Sequence, residues 1–219
     1  MGGPVPKQYL SLAGRTVIEH VLNLLVAEPQ LAGVTVAVAA DDPYWQRYLP
    51  RKPAKPVRVA TGGETRAHSV LNAIISLRDE LKDEDWVLVH DAARPCLHPQ
   101  DLSLLIQQLD QEPVGGILAV PVMDTLKQVD DELRVTATPE RGALWRAFTP
   151  QMFRYRPLRE ALEAALRAGK APTDEAAAME QAGHAVRVVE GRGDNIKITR
   201  PDDVALAEAI LLQRQGAKP

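Results

Sequence analysis

The stretch Trp86-Val-Leu-Val-His90-Asp91-Ala-Ala-Arg94-Pro95 decides the fold. Its apolar run has little polar alternation and reads as a strand buried on both faces, the habit of parallel sheets covered by helices. Charge then appears at the strand's carboxyl end, where open α/β sheets keep their ligand crevice. Asp91 is placed there to hold a divalent cation, and Arg94, after two small residues, to hold a phosphate. The competing role for Asp91 is a helix cap. The next helix, however, begins near His98-Pro99, too far along for direct capping.

The same alternation extends outward in both directions. Val34–Ala40, Val57–Ala60, Gly116–Val122 and Ala185–Val189 read as further strands. Val17–Ala27, Glu64–Leu81, Pro99–Leu109, Pro157–Ala168, Glu175–Ala182 and Pro201–Leu212 read as helices. Pro99, Pro157 and Pro201 sit where a first helical turn tolerates proline, and Gly169 and Gly183 stand just past helix ends. The pattern predicts an α/β fold: a mostly parallel, twisted, doubly wound sheet flanked by helices, with residues 1–219 forming a single domain. Asp124–Glu140 breaks the rhythm. It reads as two polar strands around the turn Asp130-Asp131-Glu132, a hairpin inserted as an arm over residues 124–144. Isolated hairpins are marginal in water, so it is expected either to pack against another body, such as a second subunit, or to stand as an exposed ornament.

Composition narrows the function classes. The chain has 219 residues, of which 45% are hydrophobic and 25% charged, enough to bury a core without staples. A single cysteine, Cys96, rules out a disulfide-built scaffold. A net charge of −3 argues against a polyanion-binding surface over the whole molecule, though not against a local cationic pocket. Aromatic residues at 4% disfavour a stacking platform for single-stranded nucleic acid. No apolar run approaches the roughly 18 residues of a membrane span. The opening Met1–Lys7 has no signal-peptide core, so a cytoplasmic enzyme-like domain is expected.

A second cluster of charge follows the last strand, in Glu190-Gly-Arg-Gly-Asp194-Asn-Ile-Lys197-Ile-Thr199. Asp194 and Lys197 add a carboxylate and a cation at another strand end. Paired carboxylates for Mg²⁺ with lysines around a phosphate are what phosphoryl chemistry requires. Taken alone, Asp194-Asn195 also suits a simple turn, and Thr199 reads as the cap of the last helix. Lys7 stands in a Gly/Pro loop, where a lysine is more often solvated than catalytic. In Gly62-Gly-Glu64-Thr-Arg66-Ala-His-Ser69, Gly63 permits close backbone approach and Ser69 could donate to a base edge; a plain glycine turn and helix cap is the alternative.

Other chemistries find no support. The five histidines, His20, His68, His90, His98 and His184, lack zinc-ligand spacing. No G-x-S-x-G or complete Walker A sequence is present. Cys96 reads as a small buried residue, and Thr173-Asp174-Glu175 as the cap of an alanine-rich helix.

Taken together, these pieces resemble the 2-C-methyl-D-erythritol 4-phosphate cytidylyltransferases. The resemblance is carried by Pro6-Lys7-Gln8-Tyr9-Leu10, Gly62-Gly63 with Arg66 and Ser69-Val70, His90 through Pro95, and Asp124-Thr125. Leu144-Trp145 through Gln151, Thr173 through Ala176, and Gly191 through Lys197 complete it. These motifs run in order from Lys7 to about Ile210. The resemblance implies a Rossmann-like nucleotidyltransferase that moves CMP from CTP to methylerythritol 4-phosphate with Mg²⁺, releasing pyrophosphate in non-mevalonate isoprenoid synthesis. It implies Lys7 and Lys197 as catalytic, Gly63, Glu64, Ser69, Asp91 and Ala92 as nucleotide-binding, and Asp91 and Asp194 as metal ligands. Arg94, Thr125, Arg141, Thr149 and Lys197 would surround the alditol phosphate. The hairpin would be an arm clasping a second subunit, with Thr125 and Arg141 acting across a homodimer interface.

Family members open with a strand and a glycine-rich loop of the form A-A-G-x-G-x-R-M-G. Here Met1-Gly2-Gly3 looks like the end of that loop. The reading is therefore of a start site placed late, with a truly truncated product as the alternative, the chain being short by about 15–20 residues. Two other functions stay open: a ribitol 5-phosphate cytidylyltransferase, and a non-catalytic dimeric nucleotide-binding protein.

Overall fold

Ala13 and Gly14 both take positive φ, 45° and 78°. That left-handed pair closes a two-residue hairpin between β1 (Ser11–Leu12) and β2 (Arg15–Thr16). The hairpin delivers the chain into α1 (Val17–Ala27), whose first turn is fastened by Glu19 accepting from the Thr16 N–H at 2.7 Å. The computed structural model describes residues 5–48 and 53–216. The reading of Met1-Gly2-Gly3 as a loop remnant falls outside them.

After α1 come β3 (Val34–Val38), the short helix α2 (Trp45–Tyr48), β4 (Val57–Thr61), α3 (Arg66–Ile75), β5 (Trp86–Val89) and α4 (Pro99–Leu109). The remaining elements are β6 (Gly115–Pro121), β7 (Gln128–Val129), β8 (Val135–Ala137), β9 (Trp145–Arg154), α5 (Tyr155–Arg167), α6 (Glu175–Gln181), β10 (Arg187–Glu190) and α7 (Asp202–Gly216). The predicted helix over 64–81 ends early, at Ile75. Ser76 turns its hydroxyl back onto the Ala73 carbonyl (2.7 Å), and the chain continues in turns. Thr199 is structural, as read, but not as a cap. Its N–H and hydroxyl, with the Arg200 N–H, converge on Asp203 inside α7.

The main sheet has the order β10-β6-β9-β5. β10 pairs parallel with β6, and β9 pairs antiparallel with both β6 and β5. So β5, β6 and β10 run one way, as expected, and β9 runs against them between two of them. Sequence reading missed β9 because Pro150 lies at its centre, and proline removes a ladder donor. The ladder absorbs it. Between Ile117 and Ala119 of β6 the partner on β9 jumps from Gln151 to Ala147, so residues 148–150 swell outward as a bulge. β3 and β4 form a separate parallel pair among the described residues.

β5 corrects one expectation. Its four residues are all only half-buried, because among the described residues β5 is an edge strand rather than one covered on both faces. The cores lie on either side of the sheet. Phe153, Leu158, Leu162 and Met179 pack under α5 and α6 on one face, and Leu102, Leu105, Leu109, Leu118 and Met152 under α4 on the other. Ile198 and Cys96 join Leu12 and Val17 in a small cluster against α7. No helix among the described residues is long and apolar enough to cross a membrane.

Candidate active site

β5 and β10 lie at opposite edges of the sheet, but the loops that follow them meet at the β9 bulge, and the charge read from the sequence gathers there. The Arg94 N–H donates to the Asp91 carbonyl (3.0 Å), folding Asp91–Arg94 into a turn. α4 takes its cap from His98, so Asp91 is free of that duty. Its carboxylate faces three cations instead. Arg66 Nε donates to Oδ1 at 3.0 Å, Lys197 Nζ lies 2.8 Å from Oδ2, and Arg94 Nε lies 3.6 Å from Oδ2. Burial pushes the Asp91 carboxyl up, but Lys197 and Arg66 outweigh it and bring it down to about 2.

These groups line a polar cleft of about 170 Å³ together with Phe148, Thr149, Gln151, Thr173 and Asp174. Arg94 is buried, with Nη1 on the Asn195 carbonyl at 2.8 Å and its guanidinium 4.9 Å from the centre of the Phe148 ring. Lys197 has three N–H donors and gives one to Asp91, so it keeps donors for an anion. Planar Arg94 and compact Lys197 on one wall suit a phosphate.

The bulge places Thr149 at this wall. Its Oγ1 accepts the Asp91 N–H at 3.1 Å and lies 3.0 Å from His90 Nδ1. His90 Nε2 sits 3.1 Å from the Arg94 carbonyl, which can only accept, so the ring proton is on Nε2 and the Thr149 hydroxyl donates to Nδ1. Burial draws His90 down to about 4, so it stays neutral. Asn195 closes the frame by donating to the Thr149 carbonyl at 2.8 Å. Asp91, Arg94, Thr149 and Lys197, predicted from separate stretches, thus meet in one cleft.

The other predicted residues lie outside this lining. Gly63 stands before α3, and a Cβ there would come within 2.4 Å of the His68 Cβ, so the close approach is real. It serves the turn. The Gly63 N–H donates to Ser69 Oγ (2.9 Å), and Ser69 Oγ donates to the Thr65 carbonyl (3.0 Å). The Ser69 hydroxyl proton is directed at the Thr65 carbonyl at the start of α3. Glu64 is exposed beside it, and Ala92 packs on the Tyr9–Trp45 cluster. Lys7 begins a short 3-10 turn, and its Nζ has no hydrogen-bond or ion-pair partner among the described residues. Thr125 is exposed at the foot of the arm, and Arg141 donates to the Met123 carbonyl across that foot.

Asp194 pairs with Arg214 of α7 at 2.7 Å rather than with a residue of the cleft. Its other oxygen, Oδ1, is buried without a hydrogen-bond partner. Among the described residues no group of three or more histidine, cysteine or acidic side chains converges as a metal site. A hard, orphaned carboxylate oxygen nonetheless fits a divalent cation that brings other oxygen ligands with it, as Mg²⁺ on phosphates does.

Several cleft residues were missed as functional by sequence reasoning. The sequence places Glu175 with Thr173 and Asp174 in a helix cap. Asp174 is the cap, accepting from the Ala177 N–H (2.9 Å), whereas Glu175 is wholly buried and grips Arg66 by both oxygens at 2.7 and 3.0 Å. Gln151, 1% exposed, accepts from the Ala176 N–H (2.8 Å) and donates to Asp174 (2.9 Å). The only signal for these was their place in quoted motifs, because these partners lie 23 to 109 positions away.

Known proteins resemble this chain in sequence and in fold. A sequence model described as IspD, 2-C-methyl-D-erythritol 4-phosphate cytidylyltransferase, matches residues 1–213. A protein of that name from Pseudomonas putida (strain GB-1) is 52% identical over 209 residues, 93% of this chain and 87% of its own. A crystal structure of a 4-diphosphocytidyl-2C-methyl-D-erythritol synthase superposes with a TM-score of 0.86 at 38% identity, covering 94% of this chain and 95% of that one. The Francisella tularensis 2-C-methyl-D-erythritol 4-phosphate cytidylyltransferase follows with a TM-score of 0.83 at 38% identity, covering 95% and 94%. Sequence and fold agree along nearly the whole length, and the chain belongs to the 2-C-methyl-D-erythritol 4-phosphate cytidylyltransferase family.

Proposed function

We propose that this chain transfers CMP from CTP to 2-C-methyl-D-erythritol 4-phosphate, giving 4-diphosphocytidyl-2-C-methyl-D-erythritol and pyrophosphate. The single observation that carries the reading is the convergence of Arg66, Arg94 and Lys197 on Asp91 at a strand end. In the reaction an oxygen of the alditol phosphate attacks the α-phosphorus of CTP, and the bond to the β-phosphate oxygen breaks as pyrophosphate leaves. Two anions must approach each other, so positioning and charge neutralisation are the protein's work. Arg94, Thr149 and Lys197 hold the alditol phosphate, and Lys197 remains beside the phosphorus under attack. Gly63, Glu64, Ser69 and Ala92 border the nucleotide, and Lys7 approaches its phosphates from the opening loop. Asp91 and Asp194 would hold Mg²⁺, whose chemistry is to neutralise phosphate charge.

A homodimer belongs to the same proposal. The arm presents Leu133 and Val135 to solvent at 81 and 60% exposure, and Met123 just before it at 75%, an apolar surface that favours association. Thr125 and Arg141, outside the cleft of their own chain, then serve the partner's. Incubation of the protein with CTP, Mg²⁺ and methylerythritol phosphate should release pyrophosphate. None from a folded dimer overturns the reading, and preferred turnover of ribitol 5-phosphate in a competition would replace the acceptor.

A further inference from the structure

Among the described residues, Glu175 is the one carboxylate near the cleft with no exposure at all. Burial pushes it up and opposes its charge, yet it meets Arg66 through two parallel hydrogen bonds, the strongest geometry a guanidinium offers. An ion pair whose carboxylate is wholly buried and whose guanidinium is partly exposed is weak support for stability, because desolvation of the carboxylate offsets much of the attraction. Nor do α3 and α6 depend on it for their seats, since each packs on α5, and Ile74 and Met179 lie in the same apolar cluster. What the pair does fix is direction. With both Nη atoms held by Glu175, Arg66 presents Nε to Asp91 Oδ1 at 3.0 Å. The carboxylate so pinned meets Lys197 at 2.8 Å but leaves Arg94 Nε at 3.6 Å, buried and without a hydrogen-bond partner. Glu175 is itself seated firmly, because Gln151 ties its neighbours Asp174 and Ala176 to β9.

We propose that Glu175 is a positioning residue, acting through Arg66 to fix the Asp91 carboxylate and, with it, the ammonium of Lys197. The proposal rests on the cytidylyltransfer reading above. Released from Arg66, Asp91 is free to turn toward Arg94 Nε, and Lys197 loses the anchor that aims it. Lys197 acts on the reacting phosphate rather than on cytosine, so the loss falls mainly on turnover, with a smaller change in CTP affinity through Asp91.

The test compares wild type, Glu175→Gln, Arg66→Lys and the double variant, with rates taken per folded protein. Glu175→Gln keeps size and should lower kcat by about ten- to a hundredfold, while KM for CTP moves less than threefold. Arg66→Lys cannot make the fork and should lower kcat comparably, and adding Glu175→Gln to it should change little further. A Glu175→Gln protein with wild-type kcat, or losses that multiply in the double variant, overturns the proposal. A second measurement separates it from the reading it rests on: the Arg66 Nε–H resonance in ¹⁵N-labelled full chain. If wild type releases no pyrophosphate, the activity reading fails, and the resonance decides alone. Slow exchange in wild type, lost in Glu175→Gln, supports positioning; no change overturns it.

Discussion

The cleft and the arm are built on opposite terms. In the cleft, Thr149 and Arg94 are 4 and 9% exposed, and Asp91, Arg66, Lys197 and Asn195 all have partners within the same chain. In the arm, β7 and β8 are exposed throughout, and Asp130 holds the turn by accepting from the Glu132 and Arg134 N–H groups at 3.0 and 2.9 Å. One region's charged and polar side chains find their partners within a single chain. The other offers apolar side chains to water with no core beneath them. The contrast teaches that chemistry and assembly are separable here: changes in the cleft should alter turnover without altering mass, and changes at the arm tip should do the reverse first.

Lys197→Ala breaks the cleft side of that contrast most severely. It deletes the partly exposed ammonium beside Asp91 without opening the core. Loss of one preorganised charge at a phosphoryl-transfer site costs about 10²–10³ in kcat. Steady-state pyrophosphate release should fall by that factor while sedimentation and thermal unfolding stay near wild type. A loss under tenfold would remove Lys197 from the reacting phosphate.

The arm side is tested by Leu133→Asp with Val135→Lys. Each buried aliphatic side chain is worth about 1.5–3 kcal/mol, so the pair should weaken a dimer by roughly a hundredfold or more. Sedimentation at micromolar protein should then show a monomer whose unfolding is little changed, because these side chains are exposed within the chain. Activity would fall with the dimer fraction, through loss of the partner's Thr125 and Arg141. A double variant that remains dimeric shows that the arm is ornament.

How much of this contrast could be read in advance follows from the range of the interactions. The cleft's backbone was legible because strands ending in Asp91 and in Asp194–Lys197 are local patterns, and the arm because polar strands flank an Asp-rich turn. β9 was hidden by Pro150, since the bulge that tolerates it is a property of pairing with β6. Glu175 was read as part of a cap because its sequence neighbours fit one, while Arg66 lies 109 positions away. Asp194 was expected with Asp91; it rests on Arg214, which no local pattern pairs with it. Local charge placement shows through in sequence, and long-range partners do not.

A smaller effect sharpens the cleft's electrostatics. The Asp91 carboxyl sits at about 2 in the folded chain, against an ordinary value near 3.8. The unfolded chain therefore binds this proton first, and the stabilisation from Asp91 is fully present above about 3.8 and lost as pH falls toward 2. Urea midpoints of wild type should exceed those of Asp91→Asn at pH 7, with the gap closing through that acidic window. A gap constant from pH 7 to 2 would show that Arg66 and Lys197 do not hold the charge.

The smallest effect separates two uses of one hydroxyl. Ser69 Oγ already accepts from Gly63 and donates to Thr65, so Ser69→Ala leaves the Gly63 N–H without its partner. Because that N–H borders solvent, water replaces much of the bond, and the cost is about 0.5–1.5 kcal/mol of stability. The Gly63 turn is also kept by close packing on His68, which the substitution does not touch. KM for CTP should therefore rise by less than about fivefold, the sum of a slightly looser turn and no lost base contact. A rise of thirtyfold or more with stability unchanged would mean that the hydroxyl leaves Thr65 for the base when nucleotide binds. In that case the nucleotide side of the cleft is remade by its ligand, unlike the phosphate side, which is set in the free chain.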